Sequence, residues 1–433
     1  MIAVNVRTDQ SHAVRRVVVT GIGCVTPVGT GAKGLWEGLQ RRESAVRRVA
    51  RFDASAFRTR IAAEVDNFSP TDFMDRQRAK RLDRFAQFAV ASARMALDDA
   101  ALDPAAEDPD RVGVQMGSAL GGVAYAEGQL GNFLQHGLRG VDPLLALAVY
   151  GGSASGNVSI EFGFTGPNST NGMSCASGAM AIGEGWRLIR DGQADLVVAG
   201  GVEAPLAPLC YGAFAIIRAM SARNDDPARA SRPFDAGRDG FVMAEGAAVL
   251  ILEELERARA RGAHIYGELL GYGTTTDAHH MTAPRPDGAQ AARAMRIALG
   301  TAGIEAGDID YVNAHGSSTS LNDSTETRVI RTVLGDHADR VAVSGTKGYH
   351  GHALGATGAM EAASTLLSFV HGWIPPTLNL EEPDPACDLP YSGPEGEHRR
   401  ISYAISNSFG FGGINAALVF GRAPNGTEGE TRG

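Results

Sequence analysis

Short runs of apolar and β-branched residues, most of them ending in glycine, recur along the chain and alternate with helix-like stretches. Runs that are apolar at nearly every position predict strands covered on both faces, because a half-exposed strand alternates apolar and polar side chains. The clearest runs are 16–21, 111–117, 195–200, 248–252, 311–314 and 416–420. Helix-like segments lie at 82–99, 179–191 and 359–369. This alternation predicts a layered α/β protein.

A charged stretch at 253–261 reads EELERARAR, predicts a helix, and ends at Gly262. It marks a division of the chain, so we predict an N-terminal half over 15–263 and a C-terminal half over 264–422. The polar, glycine-rich tail over 423–433 predicts disorder. No repeat is visible at the level of sequence identity.

Composition is that of a globular protein, with 44% hydrophobic and 21% charged residues in a chain of 433. The net charge of −9 argues against nucleic-acid binding, which needs a broad basic surface. Four cysteines without CxxC spacing indicate a reducing compartment rather than a disulfide framework. Since no apolar run approaches the roughly 18 residues of a membrane span, and no secretory signal is visible, we expect a soluble cytoplasmic protein.

Cys175 is the candidate nucleophile. It follows a stretch rich in Gly, Asn, Ser and Thr and precedes the helix predicted over 179–191. A helix N-terminus favours the thiolate, because the helix dipole and free N–H groups stabilise negative charge. The small neighbours leave room for an acyl chain. The alternative is a buried structural cysteine, which is how we interpret Cys24, Cys210 and Cys387.

Two histidines are candidate partners of that cysteine. His315 follows a strand-like run and begins a Gly-Ser-Ser-Thr loop. We therefore expect its ring to be accessible at the end of a strand rather than packed in the core. His352 precedes a helix of small residues, where the dipole disfavours the imidazolium. A neutral ring that donates an Nε–H bond to a developing enolate is therefore expected.

The pairs His350/His352 and His279/His280 could also suggest a metal site. No carboxylate or cysteine stands at ligand spacing beside His350 and His352, and we discount the second pair in the same way, so we expect neither a metal nor a cofactor. A cysteine with two imidazoles suits carbon–carbon bond formation between two thioesters. The cysteine can carry an acyl group, and the imidazoles can manage the charge released when a malonyl group loses carbon dioxide.

From about Arg15 to Gly421 the chain resembles the β-ketoacyl-[acyl-carrier-protein] synthases, most closely synthase II of fatty-acid synthesis. The spacing of Cys175, His315 and His352 agrees with the Cys-His-His triad of that family. Further blocks match in order at 221–225, 232–242 and 407–413. The resemblance implies a thiolase-like fold of two similar halves, layered α-β-α-β-α, and usually a dimer.

The resemblance also implies a 3-oxoacyl synthase reaction, in which an acyl carrier protein brings both substrates on its phosphopantetheine. Cys175 would take the acyl chain as a thioester, and His315 and His352 would assist decarboxylation of the malonyl group. The resulting carbanion would attack the thioester and lengthen the chain by two carbons. The backbone N–H groups of Cys175 and Phe411 would form the oxyanion hole.

Other positions acquire roles by the same resemblance. Phe411 would be a gate that swings between Gly410 and Gly412. Lys347 would pair with Glu326 and order the site. The remaining matches are Asp323 behind the site, Thr282, Ser317 and Thr319 along the pantetheine arm, and Leu120 and Phe214 at the acyl pocket.

A basic cluster in this acidic chain predicts the surface that receives an acidic carrier protein. Its members are Arg76, Arg78, Lys80, Arg81 and Arg84, together with Arg218. The alternative is a solvated helix face.

The chain departs from the family pattern at several positions: Ala244, Ser317, Ser320 to Asn322, Gly348 to His350, and Ile414. None of these removes a reacting group. They leave open a ketosynthase subunit of a type II polyketide or specialised fatty-acyl pathway, paired with a chain-length-factor-like subunit. A chain-length subunit itself would lack the cysteine, a degradative thiolase would carry a second one, and an initiating synthase would have asparagine in place of His352.

Overall fold

The computed structural model describes residues 14–424, so the predicted tail lies outside the described residues from 425 onward. The strands are β1 (Val17–Thr26), β2 (Gly29–Thr30), β3 (Arg47–Arg48), β4 (Ile61–Ala62), β5 (Val112–Gly117), β6 (Asn168–Asn171), β7 (Leu196–Glu203), β8 (Gly246–Glu254), β9 (Gly267–Thr276), β10 (Tyr311–Asn313), β11 (Ala342–Ser344), β12 (Trp373–Ile374), β13 (Glu397–His398), β14 (Tyr403–Gly410) and β15 (Ile414–Gly421).

The helices are α1 (Gly31–Arg41), α2 (Arg76–Ala79), α3 (Arg84–Asp99), α4 (Val123–His136), α5 (Leu145–Ala148), α6 (Ser153–Phe162), α7 (Ser177–Arg190), α8 (Pro208–Ile216), α9 (Leu255–Ala260), α10 (Ala289–Ala302), α11 (Ser320–Leu334), α12 (Lys347–His350) and α13 (Thr357–His371). Between residues 14 and 424, none of them has the length and apolar character needed to cross a membrane.

The strand order of the large sheet is repeated in two halves. The order is β11-β10-β14-β15-β9-β1-β8-β7-β5-β6, with β2 beside β1. Outward from the centre, the N-terminal half has β1, β8, β7, β5 and β6, and the C-terminal half has β9, β15, β14, β10 and β11. If the five strands of each half are numbered along the chain, both halves follow the order first, fifth, fourth, second and third. The directions also agree, since the two inner pairs of each half are antiparallel and the two outer pairs are parallel. The prediction of two similar halves is therefore confirmed by the topology.

The halves meet where β1 and β9 pair antiparallel, from Val17 opposite Leu269 to Val19 opposite Gly267. The predicted boundary at residue 263 falls between α9 and β9. The sheet continues across this junction, and the division of the chain at residue 263 stays a prediction.

Helices cover and separate the two half-sheets. On one outer face α3 packs on β1, β7 and β8, and on the other α10 packs on β9 and β15. Between them, α7 and α13 contact strands of both halves. Each of the three helical layers has its own apolar cluster. The layering is thus α-β-α-β-α, as predicted.

A short sequence repeat accompanies the structural repeat. A 3-10 turn at Ser174–Ala176 leads into α7, and a matching turn at Leu354–Ala356 leads into α13. Both turns begin at a positive φ, 51° at Ser174 and 39° at Leu354. Residues 176–180 read ASGAM and residues 356–360 read ATGAM. The expectation of no visible repeat is therefore wrong here.

Close contact between these two turns explains the small residues. A Cβ added at Gly178 would lie 2.8 Å from the carbonyl oxygen of Gly355, and one added at Gly358 would lie 2.9 Å from the nitrogen of Ala179. Only glycine fits at such a backbone approach. The repeat therefore brings the start of α7 and the start of α13 together at the centre of the molecule.

The helix predicted over 253–261 begins later than predicted. β8 continues to Glu254, which lies opposite Val17 of β1, and the Glu254 side chain caps α9 by accepting from the Arg257 N–H at 2.8 Å. The buried Glu253 side chain accepts from Thr20 at 2.8 Å and from Arg261 at 2.7 Å. The charges that suggested an exposed helix therefore hold the end of a strand.

Candidate active site

One cavity of about 290 Å³ is lined by Cys175, His315 and His352. Cys175 lies in the turn before α7, His315 follows β10, and His352 follows α12. The imidazole centroids lie 5.5 Å apart with nearly perpendicular rings. The fold thus brings together the three residues that the sequence analysis chose from distant segments.

The Cys175 thiol is buried, and burial raises its pKa to about 11. The Ser174 hydroxyl, the Lys347 charge and the Phe411 N–H oppose this shift but do not outweigh it. The thiol is therefore protonated in the resting site. The sequence argument for a thiolate counted the helix N-terminus and left out the cost of burying a charge.

Both histidines are neutral, and for His352 this is the state that the sequence analysis predicted. Burial lowers the pKa of His315 and of His352 well below the ordinary value of 6.5, and the nearby Lys347 charge lowers both further. The Nδ1 of His315 lies 3.5 Å from the Lys347 ammonium, which can only donate. The Nδ1 of His352 lies 3.0 Å from the Thr357 hydroxyl. The Nδ1 of His315 therefore accepts, and its Nε2 carries the hydrogen. A hydroxyl can donate or accept, so the Nε2 of His352 carries the hydrogen in the tautomer in which Thr357 donates to Nδ1.

The Lys347 ammonium pairs with Glu361 at 2.5 Å, and both side chains are fully buried. It also donates to the carbonyl oxygen of His315. The predicted partner, Glu326, is wrong, because its two carboxylate oxygens accept the N–H groups of His315 at 2.8 Å and Gly316 at 2.9 Å. Lys347 and Glu326 thus hold the His315 backbone from two sides.

Glu361 was missed by sequence reasoning. It is the one charged residue in the stretch 357–369, which otherwise reads as a core helix of small and apolar residues. A charge isolated in such a helix needs a buried partner. That isolation was the signal available in the sequence.

Asp323 lies behind the site, as predicted. From the first turn of α11 it accepts the Phe234 N–H at 2.8 Å and lies 3.6 Å from the Arg238 guanidinium. These contacts fasten the segment 232–238 to the base of the His315 loop.

The predicted pantetheine residues Thr282, Ser317 and Thr319 all line the cavity. The hydroxyls of Ser317 and Thr319 lie 2.8 Å apart. They offer polar groups along a path toward Cys175.

The predicted acyl-pocket residues divide between the cavity and its apolar wall. Phe214 lines the cavity, whereas Leu120 does not. Both pack against an apolar cluster that includes Cys175, Phe241 and Leu354. Leu120 therefore belongs to the packed apolar wall beside the thiol and not to the open cavity.

Phe411 stacks on Phe214, with the ring centroids 6.3 Å apart and the planes 16° apart. A Cβ added at Gly410 would lie 3.0 Å from the Cys175 nitrogen, and Gly412 has a φ of 83°. The backbone N–H of Phe411 lies near enough to the Cys175 thiol to lower its pKa. The N–H groups of Cys175 and Phe411 thus both lie beside the thiol, and the oxyanion hole implied by the resemblance stays a prediction.

The predicted docking cluster is smaller in the structure. Arg78 donates to Asn157 at 2.8 Å, and Arg84 lies on the buried Glu245 at 2.8 Å. These two arginines are half-buried and bonded to partners within the chain, so we remove them from the docking cluster. The exposed members are Arg76, Lys80, Arg81 and Arg218, of which Arg218 lines the cavity.

This layered fold, with a cysteine and two neutral imidazoles at one cavity, defines a condensing enzyme. Two family models match the chain: the beta-ketoacyl synthase N-terminal domain over residues 14–258 and its C-terminal domain over residues 266–381. The chain belongs to the beta-ketoacyl synthase family. The predicted family, fold and acyltransferase class are confirmed.

Among curated relatives, 3-oxoacyl-[acyl-carrier-protein] synthase 2 of Synechocystis sp. is 47% identical over 94% of this chain and 98% of its own length. Two solved structures are each 35% identical and cover 95% of this chain and 100% of theirs. One is the ishigamide ketosynthase/chain length factor, with a TM-score of 0.89. The other is a type II polyketide synthase acyl-carrier protein in complex with its ketosynthase bound to the hexaketide, with a TM-score of 0.87.

Proposed function

We propose that this chain is a 3-oxoacyl-[acyl-carrier-protein] synthase that lengthens an acyl chain by two carbons in fatty-acid biosynthesis. The observation that carries the proposal is the position of Cys175 beside two neutral histidines in one cavity. The 47% identity to a synthase 2 over nearly the whole chain supports the same substrates.

In the first step the Cys175 sulfur attacks the acyl thioester on the carrier protein. Charge builds on the carbonyl oxygen, where the N–H groups of Cys175 and Phe411 stabilise it. The carbon–sulfur bond to the carrier breaks, and the departing pantetheine thiol takes the proton that Cys175 gives up. A protonated resting thiol suits this exchange, because the attack transfers a proton and leaves no net charge in the buried site.

In the second step malonyl-carrier protein loses carbon dioxide, and the electrons of the broken bond form an enolate. The Nε2–H groups of His315 and His352 donate to the enolate oxygen. Neutral donors suit this step, because each ring keeps a hydrogen to donate without introducing a second buried charge. The enolate carbon then attacks the Cys175 thioester, and the sulfur leaves as a thiolate while the 3-oxoacyl product forms. A proton from solvent restores the resting thiol, so that one proton is consumed for each carbon dioxide released.

The test is product analysis with acyl-carrier proteins of graded length and malonyl-carrier protein. The expected product is the 3-oxoacyl-carrier protein two carbons longer than the donor, with one carbon dioxide released per condensation. Carbon dioxide release without elongation, or elongation in which malonyl is not consumed, would contradict the proposal.

The exposed residues Arg76, Lys80, Arg81 and Arg218 are proposed to dock the acidic carrier protein. Arg218 stands at the cavity, where the pantetheine arm would enter. Arg218→Glu and Lys80→Glu should each raise KM for the carrier substrate while kcat is retained, whereas Arg400→Glu, a matched change at another exposed arginine, should not. An unchanged KM in both variants would remove this surface from the proposal.

We propose that the chain pairs with a second copy through the surface around α4, α5 and β6. Exposed apolar side chains concentrate there, including Leu134 at 75%, Leu138 at 82% and Ile160 at 69% exposure. In the described residues β6 pairs only with β5, so its outer edge is open to another strand. We also propose a cytoplasmic location, because a free thiol stays reduced in that compartment.

A second candidate is the ketosynthase subunit of a type II polyketide or specialised fatty-acyl pathway, paired with a chain-length-factor-like subunit. The observation that favours it is the TM-score of 0.89 to a ketosynthase/chain length factor. In that case the same surface would bind a different chain. Acyl donors that are polyunsaturated or carry repeated keto groups would then be preferred over saturated ones in the product analysis.

A further inference from the structure

Glu203 is a buried carboxylate to which the proposed chemistry assigns no role. It ends β7, and its exposure is 0%. One oxygen accepts from the Ala119 N–H at 2.7 Å and from the Gly355 N–H at 3.0 Å. The other accepts from the Leu120 N–H and from the Ser118 hydroxyl, each at 3.1 Å. Three backbone amides and one hydroxyl therefore surround a single side chain.

The internal repeat of the fold identifies the position in the other half that is equivalent to this cradle, the set of four donors around the Glu203 carboxylate. Gly355 occupies the same place in its turn as Cys175 does in the other turn, since each is the second residue after matching caps. Glu203 and Gly410 likewise close the equivalent eight-residue strands β7 and β14. The carboxylate of Glu203 meets the Gly355 N–H, and the bare Gly410 adjoins the Cys175 N–H.

In the N-terminal half, the Glu203 carboxylate thus occupies the space beside the Gly355 N–H. In the other half, the equivalent space beside the Cys175 N–H is left open to a substrate oxygen. The cradle is tightly built, because a Cβ added at Gly355 would lie 2.4 Å from the Ala119 nitrogen. It ties together the backbones of Leu120 and Leu354, the immediate neighbour of Gly355. Both leucines pack in the apolar cluster that includes Cys175.

We propose that Glu203 is a positioning residue for acyl transfer: its carboxylate fixes the Leu120 loop to the Gly355 turn and so sets the shape of the acyl pocket beside Cys175. Without it, three N–H groups lose their acceptor and the wall of the pocket is free to shift. A long chain depends on that wall over its whole length, whereas a two-carbon chain does not reach it. This inference rests on the proposed roles of Cys175 and Leu120.

The test compares three rates in the wild type and in Glu203→Ala: Cys175 acylation by a long acyl-carrier protein, acylation by acetyl-carrier protein, and malonyl decarboxylation. We expect long-chain acylation to fall about tenfold to a hundredfold, as for a displaced binding wall, with the other two rates within about twofold. Added formate, a carboxylate small enough for the vacated space, should recover much of the long-chain rate.

The matched control is Glu253→Ala, which removes another buried carboxylate, one held by arginines at the far end of β8. This variant should be less stable than the wild type, but long-chain acylation should not fall more than the other two rates. Added formate should not change any of its three rates. Should Glu203→Ala fail to fold, Glu203→Gln keeps the side-chain volume and should show the same separation without rescue by formate.

Equal losses in all three rates, or no loss, in a folded Glu203 variant would overturn the inference while leaving the proposed reaction standing. A wild-type protein whose Cys175 accepts no acyl group would instead overturn the proposed role of that cysteine, and the inference with it.

Discussion

At the scale of single residues, the site depends on one buried cation. Lys347 is the ammonium beside both imidazoles, and it lowers the pKa of His315 and of His352. Its own charge is balanced by Glu361. The neutrality of the catalytic rings and the stability of the core are therefore coupled through the same pair.

Removing Glu361 alone should be costly. Glu361→Gln leaves the Lys347 ammonium buried without its counter-charge, which we expect to lower the free energy of unfolding by about 3–5 kcal/mol. Urea unfolding measures this loss. The double variant Lys347→Met/Glu361→Leu should regain most of the stability without regaining activity. A double variant less stable than Glu361→Gln would contradict this account of the pair.

The lowered pKa values of the two histidines predict that both rings stay neutral around neutral pH. A ring whose pKa lies below its ordinary value stays neutral until the pH falls under that lower value. Neither ring should therefore gain a proton from about pH 8 through 6.5, where an ordinary histidine is half protonated. NMR of the ring signals measures this directly, whereas the rate also reports Glu326 and Glu361, whose pKa values burial raises to about 7 and about 8. A ring that is half protonated near pH 6.5, with the protein still folded, would show that it titrates normally.

Residue-level chemistry could be read from the sequence only in part. Cys175, His315 and His352 each stand among small residues next to a strand or helix end, a pattern with a local signature. The partner of Lys347 has no such signature, because a pairing across the core depends on the packing of α12 against α13. The pKa of Cys175 also depends on burial, which no local pattern reports.

At the scale of elements, the turns before α7 and α13 are the structural units of the site. Their positive φ values and close backbone approach place Cys175 and Leu354 at the cavity. The sequence predicted the helices that follow, since runs of small and apolar residues indicate buried helices. It did not predict where β8 ends, because pairing with β1 overrides the helical character of 253–254.

A substitution at Gly410, the last residue of β14, tests whether the end of this strand must leave space beside Cys175. In Gly410→Ala the new Cβ would meet the Cys175 nitrogen at 3.0 Å and crowd the oxyanion hole. We expect kcat for condensation to fall about tenfold to a hundredfold, with a smaller change in KM. Steady-state kinetics with one acyl donor measures the two constants.

Gly300→Ala is the matched control for this substitution. Gly300 lies in α10 with no atom within 4 Å of the added Cβ, so the change should leave kcat intact and stabilise the helix by about 0.5–1 kcal/mol. A Gly410→Ala protein with wild-type kcat would show that the Cys175 N–H is not used.

At the scale of the whole molecule, the same strand order in both halves places two equivalent turns back to back at the centre. Only one of these two turns carries a cysteine, Cys175, whereas the other has Gly355 at the equivalent position. The layered architecture followed from the alternation of buried strands and helices, and the resemblance supplied the two halves. The short repeat at 176–180 and 356–360 could be recognised only from the matching turns that precede α7 and α13. Five similar residues at a separation of 180 have no statistical weight alone.

The proposed pairing of two copies is tested by mass in solution. Light scattering after size exclusion should give twice the chain mass of 45.3 kDa. Leu134→Asp/Leu138→Asp should give the monomer, because each charge would be buried at the interface. Val370→Asp, at another exposed apolar residue, should remain dimeric. A monomeric wild type would contradict the homodimer and favour a different partner chain.

The central claim is that Cys175 carries the acyl chain, and intact-mass spectrometry tests it most directly. The protein is mixed with acyl-carrier protein, measured, and measured again after malonyl-carrier protein is added. We predict a mass gain equal to one acyl group, its loss on the second addition, no gain in Cys175→Ala, and an unchanged gain in the matched Cys210→Ala. A gain that persists in Cys175→Ala, or an acyl group that malonyl-carrier protein does not remove, would contradict the account.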